Sequence, residues 1–262
     1  MCVDDFISAK AEGRKLSMVT CYDYNFAQLL QRTALDGILV GDSVAMVMHG
    51  YPSTLSADLN LMRVHTEAVA RGVRDKLVVA DLPFLSFRKG ISPALDAADV
   101  LMKAGARALK LEGADGHEDV IERLTGSGIP VMGHLGLQPQ SIHSYGGFKV
   151  QGKDDEAAQE IIRQARTLEQ LGVFAIVLEC IPACLAKEIT AMLQIPTIGI
   201  GAGSGCDGQI LVLHDLLGLN PDFHPRFVRR FFDGAGGVLD AISRFDLEVK
   251  AGSFPAAEES YQ

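Results

Sequence analysis

Charged and imidazole side chains recur in this sequence where short apolar runs stop. Asp42 follows ILVG, Asp81 follows LVVA, Lys110 and Glu112 lie within ALKLEG, His134 follows PVMG, and Glu179 follows AIVL. A charge at the end of an apolar strand loses hydration, so it needs a counter-charge, a hydrogen bond or a bound ligand. Lys110 and Glu112 are two residues apart, and on a strand they project to the same side and can face one ligand. Asp42, Asp81 and Glu112 supply hard oxygen donors with no thiolate among them, a set that suits Mg2+ better than zinc. The same acids could instead close ion pairs with Lys110 and nearby arginines as structural plugs. Glu179 stands on a separate run and can serve as general base toward the carbon beside a metal-held ketone, with Lys110 set against the substrate's anionic end.

Weaker signals surround these. Ser43, next to Asp42, offers a hydroxyl to a substrate carboxylate or to its own turn. His134 can hydrogen-bond a substrate oxygen or serve as a satisfied structural histidine. The run GIGAGSG, Gly199 to Gly205, lacks the Gly-Lys-Ser/Thr ending of a P-loop and the three-glycine spacing of a dinucleotide fold, which leaves an anion nest or a tight turn. Five cysteines, at 2, 21, 180, 184 and 206, form no C-x-x-C pair or zinc-finger spacing and read as reduced, mostly buried thiols.

The elements that must carry these groups alternate along the whole chain. Eight apolar, β-branched runs (KLSMVTCYD, GILVGDS, KLVVADLPF, ALKLEG, IPVMGHLG, FAIVLEC, IPTIGIG and ILVLHD) are separated by stretches with helical spacing or length. These stretches are Tyr24 to Thr33, Leu59 to Arg74, Pro93 to Ala104, His117 to Thr125, Glu156 to Leu171 and Ala183 to Leu193. Near-continuous apolar strands joined through helices imply a parallel sheet, and eight such units imply closure into a single (β/α)8 barrel whose strand ends share one face. A doubly wound open sheet is the alternative. No linker-like segment divides residues 1–262, so one domain is expected, with Pro225 to Phe245 as a closing helical segment and the loop Leu137 to Gly152 as a lid or rim. A net charge of -9 speaks against nucleic acid and anionic membrane surfaces as partners. The first fifteen or so residues lack the apolar core of a secretory signal and no later run could span a bilayer, so a soluble, cytoplasmic protein is expected.

The order and spacing of several longer segments add a family resemblance. MVTCYDY (18 to 24), ILVGDS (38 to 43), HTEAVARG (65 to 72), VVADLPF (78 to 84), KLEG (110 to 113), PVMGHLGLQPQS (130 to 141), GGFKVQGK (146 to 153), AIVLEC-x-P (175 to 182), IPTIGIGAG (195 to 203) and DGQILVLHDLLGL (207 to 219) resemble ketopantoate hydroxymethyltransferases over essentially the whole chain. The resemblance implies a TIM-type barrel of the phosphoenolpyruvate/pyruvate-binding kind. It also implies an enzyme of pantothenate biosynthesis that hydroxymethylates 3-methyl-2-oxobutanoate with 5,10-methylenetetrahydrofolate to give 2-dehydropantoate. It implies Mg2+ at Asp42, Asp81 and Glu112, keto-acid contacts from Ser43 and Lys110, Glu179 as proton acceptor, and a decamer of barrels. Departures from the family pattern fall at Ala45-Met46, where Gly-Met is usual, in STLSADLNLMRVHT, and at Glu259, where His is common.

Two other readings suit parts of the pattern. A carbon–carbon lyase of the isocitrate lyase type would use a similar acidic site, but its K-K-C-G-H loop is absent from the sequence. A barrel that binds a ligand without turnover is the second, and a cluster of acids kept together with Glu179 argues against it.

Overall fold

A computed structural model describes residues 1–147 and 149–261, leaving aside the side chain of Tyr145. It divides into two compact units, Met1–Leu211 and Val212–Gln262. In the first, β1 (Leu16–Thr20), β2 (Gly37–Val40), β3 (Leu77–Asp81), β4 (Ala108–Glu112), β5 (Val131–Gly136), β6 (Ala175–Glu179), β7 (Thr197–Ile200) and β8 (Gly208–Leu211) pair in sequence order, and β8 returns to β1. The (β/α)8 barrel expected from the eight apolar runs is the fold observed, and the open-sheet alternative is excluded by this closure.

Side-chain alternation explains how the barrel is filled. Leu77 and Val79 of β3, Ala108 of β4, Met132 of β5, and Ala175 and Val177 of β6 belong to one buried apolar cluster with Met18, Leu39, Ile198 and Ile210. Asp81, Lys110, Glu112, His134 and Glu179 follow at the same two-residue period, so β3 to β6 carry their apolar residues low in the barrel and their polar ones toward the C-terminal end. The N-terminal helix Val3–Ala11 adds Phe6 and Ala9 to the apolar cluster, and Phe6 meets Phe174 edge-on at 6.1 Å between ring centres. Burying a Phe side chain at this end contributes about 2–3 kcal/mol.

Helix starts are marked in the sequence by aspartates. The side chains of Asp23, Asp58 and Asp154 accept from Phe26, Leu61 and Ala157 backbone N–H at 2.9, 2.7 and 2.9 Å, opening Tyr24–Gln31, Leu59–Gly72 and Asp155–Gln170. Each expected helix is present with ends displaced by one or two residues, as fraying turns allow. The loop after β5 contains two short helical turns, Pro139–Ser141 and Ile142–Tyr145, and Phe148 within it lies outside the described residues.

In the second unit the helical segment starts later than Pro225. The helix is Gly234–Ala251, because Asp233 provides the cap, its carboxylate accepting from Gly236 N–H at 3.2 Å. The run ILVLHD, read as one strand, ends its strand at Leu211 and continues as the short helix Leu213–Leu216.

Candidate active site

The strand ends bring Asp42, Asp81, Lys110, Glu112, His134 and Glu179 into one cluster. Register sets Asp81 beside Lys110, Glu112 beside His134, and Gly136 beside Glu179. Lys110 Nζ lies 3.0 Å from Asp81 Oδ1 and 3.4 Å from His134 Nδ1. His134 Nδ1 is 3.6 Å from Glu112 Oε1, and its Nε2 is 3.1 Å from Glu179 Oε2. Asp42 joins from β2's end, its backbone N–H donating to Asp81 Oδ2 at 3.0 Å. Asp42, Asp81, Lys110, Glu112 and His134 are all buried, whereas the side chain of Glu179 retains 18% exposure, so the cluster is most open at Glu179.

Burial and repulsion decide the electrostatics. Burial, then the charges of Asp81 and Glu112, raise the proton affinity of Asp42 well above that of an ordinary carboxyl. For Lys110 burial is the largest single influence and works against the charge, but Asp81, Asp42 and Glu112 together outweigh it and keep the ammonium protonated. Burial and Lys110 oppose a charge on His134, while its bonds to Glu112 and Glu179 prevail and raise its pKa to about 9.

Backbone geometry holds Glu179 in place. Gly136 has φ 93°, and a Cβ there would come within 2.2 Å of the Glu179 carbonyl oxygen. Cys180 takes the left-handed conformation at φ 48°, a strained state for a residue with a side chain. Its N–H donates to Ile200 O at 2.8 Å, and Leu137 N–H donates to Glu179 O at 2.8 Å, so the turn beyond Glu179 is tied to both neighbouring strands. Ser43 shares a 2.8 Å hydrogen bond with the buried Tyr22 hydroxyl, whose ionisation burial suppresses.

A sequence profile described as ketopantoate hydroxymethyltransferase matches residues 1–257. The chain belongs to the ketopantoate hydroxymethyltransferase family. A Bdellovibrio bacteriovorus protein named 3-methyl-2-oxobutanoate hydroxymethyltransferase is 52% identical over 257 residues, 98% of each chain. One of the same name from Francisella tularensis subsp. novicida is 52% identical over 256 residues, 98% of this chain and 97% of its own. Among solved structures, a phosphonopyruvate hydrolase complex with oxalate and Mg++ superposes with a TM-score of 0.64 at 14% identity, covering 99% of this chain and 93% of that one. At that identity the likeness is one of fold, a closed (β/α)8 barrel.

For this hydroxymethyltransferase-family chain, strand-end chemistry pointed to Asp42, Ser43, Asp81, Lys110, Glu112, His134 and Glu179, and the fold brings the six charged and imidazole groups together. It did not find Gln140 or Tyr22. Gln140 lies in the loop after β5 but is buried, with Nε2 donating to Asp42 Oδ2 at 2.8 Å and to Leu82 O at 3.0 Å. Nothing in a loop's composition marks one of its glutamines as buried; Tyr22, two residues past β1, was open to the same strand-end reading. Arg88 is a further addition: its Nη2 donates to the Glu112 carbonyl at 3.1 Å and its guanidinium packs over Phe87. The glycine-rich run serves close packing, since a Cβ on Gly203 would lie 2.5 Å from that of Ala183. Three cysteines, 21, 180 and 206, are buried and two, 2 and 184, are exposed, all as free thiols.

Proposed function

We propose that the chain hydroxymethylates 3-methyl-2-oxobutanoate with 5,10-methylenetetrahydrofolate, giving 2-dehydropantoate, through an enolate formed at this site. The observation that carries the reading is the placement of a partly open carboxylate, Glu179, on a buried histidine beside Lys110 and three acids. Glu179 takes the C3 proton of the keto acid, and His134 holds its carboxylate toward that carbon. Lys110, kept charged by its acidic neighbours, pairs with the anionic end of the substrate, and Ser43 adds a hydroxyl beside it. Water adds to the methylene carbon of the folate and both of its C–N bonds break, each nitrogen taking one proton, so that tetrahydrofolate and a formaldehyde equivalent result. The C3–H electron pair, now in the enolate, bonds C3 to that carbon, and its oxygen takes the proton Glu179 removed to become the hydroxyl.

Asp42, Asp81 and Glu112 are proposed to hold a divalent ion, Mg2+ by preference. Their donor chemistry fits: all three are oxygen ligands, buried together at the ends of three consecutive strands. Among the described residues no three such donors already converge on one point. When bound, such an ion supplies positive charge to the developing enolate. The phosphonopyruvate hydrolase with the same fold carries oxalate and Mg++, which supports this assignment. For the folate, Phe84 and Leu85, both exposed on the segment beyond Asp81, offer an apolar rim, and Leu85 is held at φ 62°.

We also propose a homo-oligomer, a decamer by family, working in the cytoplasm. The helix Gly234–Ala251 leaves Leu239, Ile242 and Phe245 on one side, 67, 61 and 54% exposed, an apolar stripe of the kind that subunits cover. No helix among the described residues is long and apolar enough to cross a membrane.

The test is exchange of the C3 proton of 3-methyl-2-oxobutanoate in D2O, followed by NMR with Mg2+ and no folate. Glu179→Gln is expected to slow exchange by ~100-fold or more, the ordinary contribution of a positioned base. A Glu179→Gln protein that exchanges at the wild-type rate would remove the base assignment.

A further inference from the structure

Gln140 has both amide hydrogens and its backbone N–H committed inside the barrel mouth. Nε2 donates to Asp42 Oδ2 at 2.8 Å and to Leu82 O at 3.0 Å, and the backbone N–H is shared between Glu112 Oε2 at 3.2 Å and Oε1 at 3.3 Å. One residue from the β5 loop therefore bridges the end of β2, the segment beyond β3 and the end of β4. Its side chain is 7% exposed, and Pro139 before it restricts the backbone that presents the N–H.

The chemistry of this contact differs from that of Lys110 on Asp81. An ammonium cancels the charge of the carboxylate it holds, whereas a neutral amide orients a carboxylate and leaves its charge in place. Donors from one residue on both Asp42 and Glu112 tie the two carboxylates to a common point. We infer that Gln140 is a positioning residue that holds Asp42 and Glu112 ready for a divalent cation. The inference rests on the metal assignment above and adds to it a residue that touches neither substrate nor the reacting atoms.

Binding of Mn2+ to the full-length protein, read by EPR of the free ion, tests it without reference to turnover. Gln140→Met keeps the length of the side chain and removes both donors; Gln140→Asn keeps the amide but is one methylene short of reaching both Asp42 and Leu82. Each is expected to weaken Mn2+ binding about 10-fold or more, the usual cost of removing a group that orients a metal ligand. Competition with Mg2+ should show the same loss. A Gln140 that only anchored the loop would lower the unfolding temperature of the metal-free protein and leave Mn2+ affinity within twofold of wild type, and that result overturns the inference. If Gln140→Met does not fold, Gln140→Asn gives the same reading. A wild-type protein that binds no Mn2+ overturns the metal assignment itself, and the inference with it, which separates that failure from one confined to Gln140.

Discussion

Glu179 works only if its carbonyl, its neighbours and its carboxylate are all fixed, and the tightest constraint is on a residue with no side chain. Gly136 sits at φ 93° with the Glu179 carbonyl where a Cβ would be, so Gly136→Ala combines a disfavoured backbone with a direct clash. We expect that variant to lose at least about 2 kcal/mol of stability and most of its proton exchange, checked by thermal unfolding and by the D2O assay. Thiol chemistry at the site is the opposite case. Burial pushes the thiols of Cys21 and Cys180 up to about 12, Glu179 adding to the effect at Cys180. A thiol raised that far is almost wholly protonated at pH 8 and is a poor nucleophile. Iodoacetamide at pH 8 should therefore label Cys2 and Cys184 on the native protein and spare Cys21, Cys180 and Cys206, as counted by mass spectrometry.

At the scale of elements, helices are positioned by their caps and by small residues where two surfaces meet. The helix Leu59–Gly72 starts at Asp58, whose carboxylate accepts from Leu61 N–H, and ends at Gly72, where a Cβ would stand 2.6 Å from that of Ala27 on the helix Tyr24–Gln31. Removing the cap with Asp58→Ala is expected to cost about 1 kcal/mol. In a protein of this size that corresponds to a fall of roughly 2–4 °C in Tm by calorimetry, with activity retained below the transition. Strand existence and helix existence were legible because apolar runs and Asp caps are local signals. The late start of Gly234–Ala251 was not, since nothing in the local pattern distinguished Asp233 from other turn residues as the residue that would cap it.

At the scale of the molecule, closure of eight strands converts local placement into a site. Residues as far apart in sequence as Asp42 and Gln140 meet within hydrogen-bond distance because all eight strands end on one face and the loop after β5 crosses it. The exposed stripe on Gly234–Ala251 carries the prediction at this scale. Replacing Leu239 and Ile242 together by Asp places two charges on the surface proposed to pack between subunits. Sedimentation is expected to show a shift from a large assembly to smaller species; a double variant that sediments like wild type would place the subunit contact elsewhere.

The sequence by itself determined the barrel and most of the reactive groups. Apolar runs of strand length, alternating with helices, leave few ways to bury their faces, and a polar residue terminating such a run has to lie at its end. Asp42, Asp81, Lys110, Glu112, His134 and Glu179 were readable for that reason. Only the tertiary structure decided how those groups pair: that His134 spends Nε2 on Glu179, that Lys110 lies on Asp81 and that Gln140 returns from a loop to hold Asp42. Partners of this kind are chosen by side-chain rotamers and by loops crossing a closed barrel, and such contacts between distant residues leave no periodic trace along the chain.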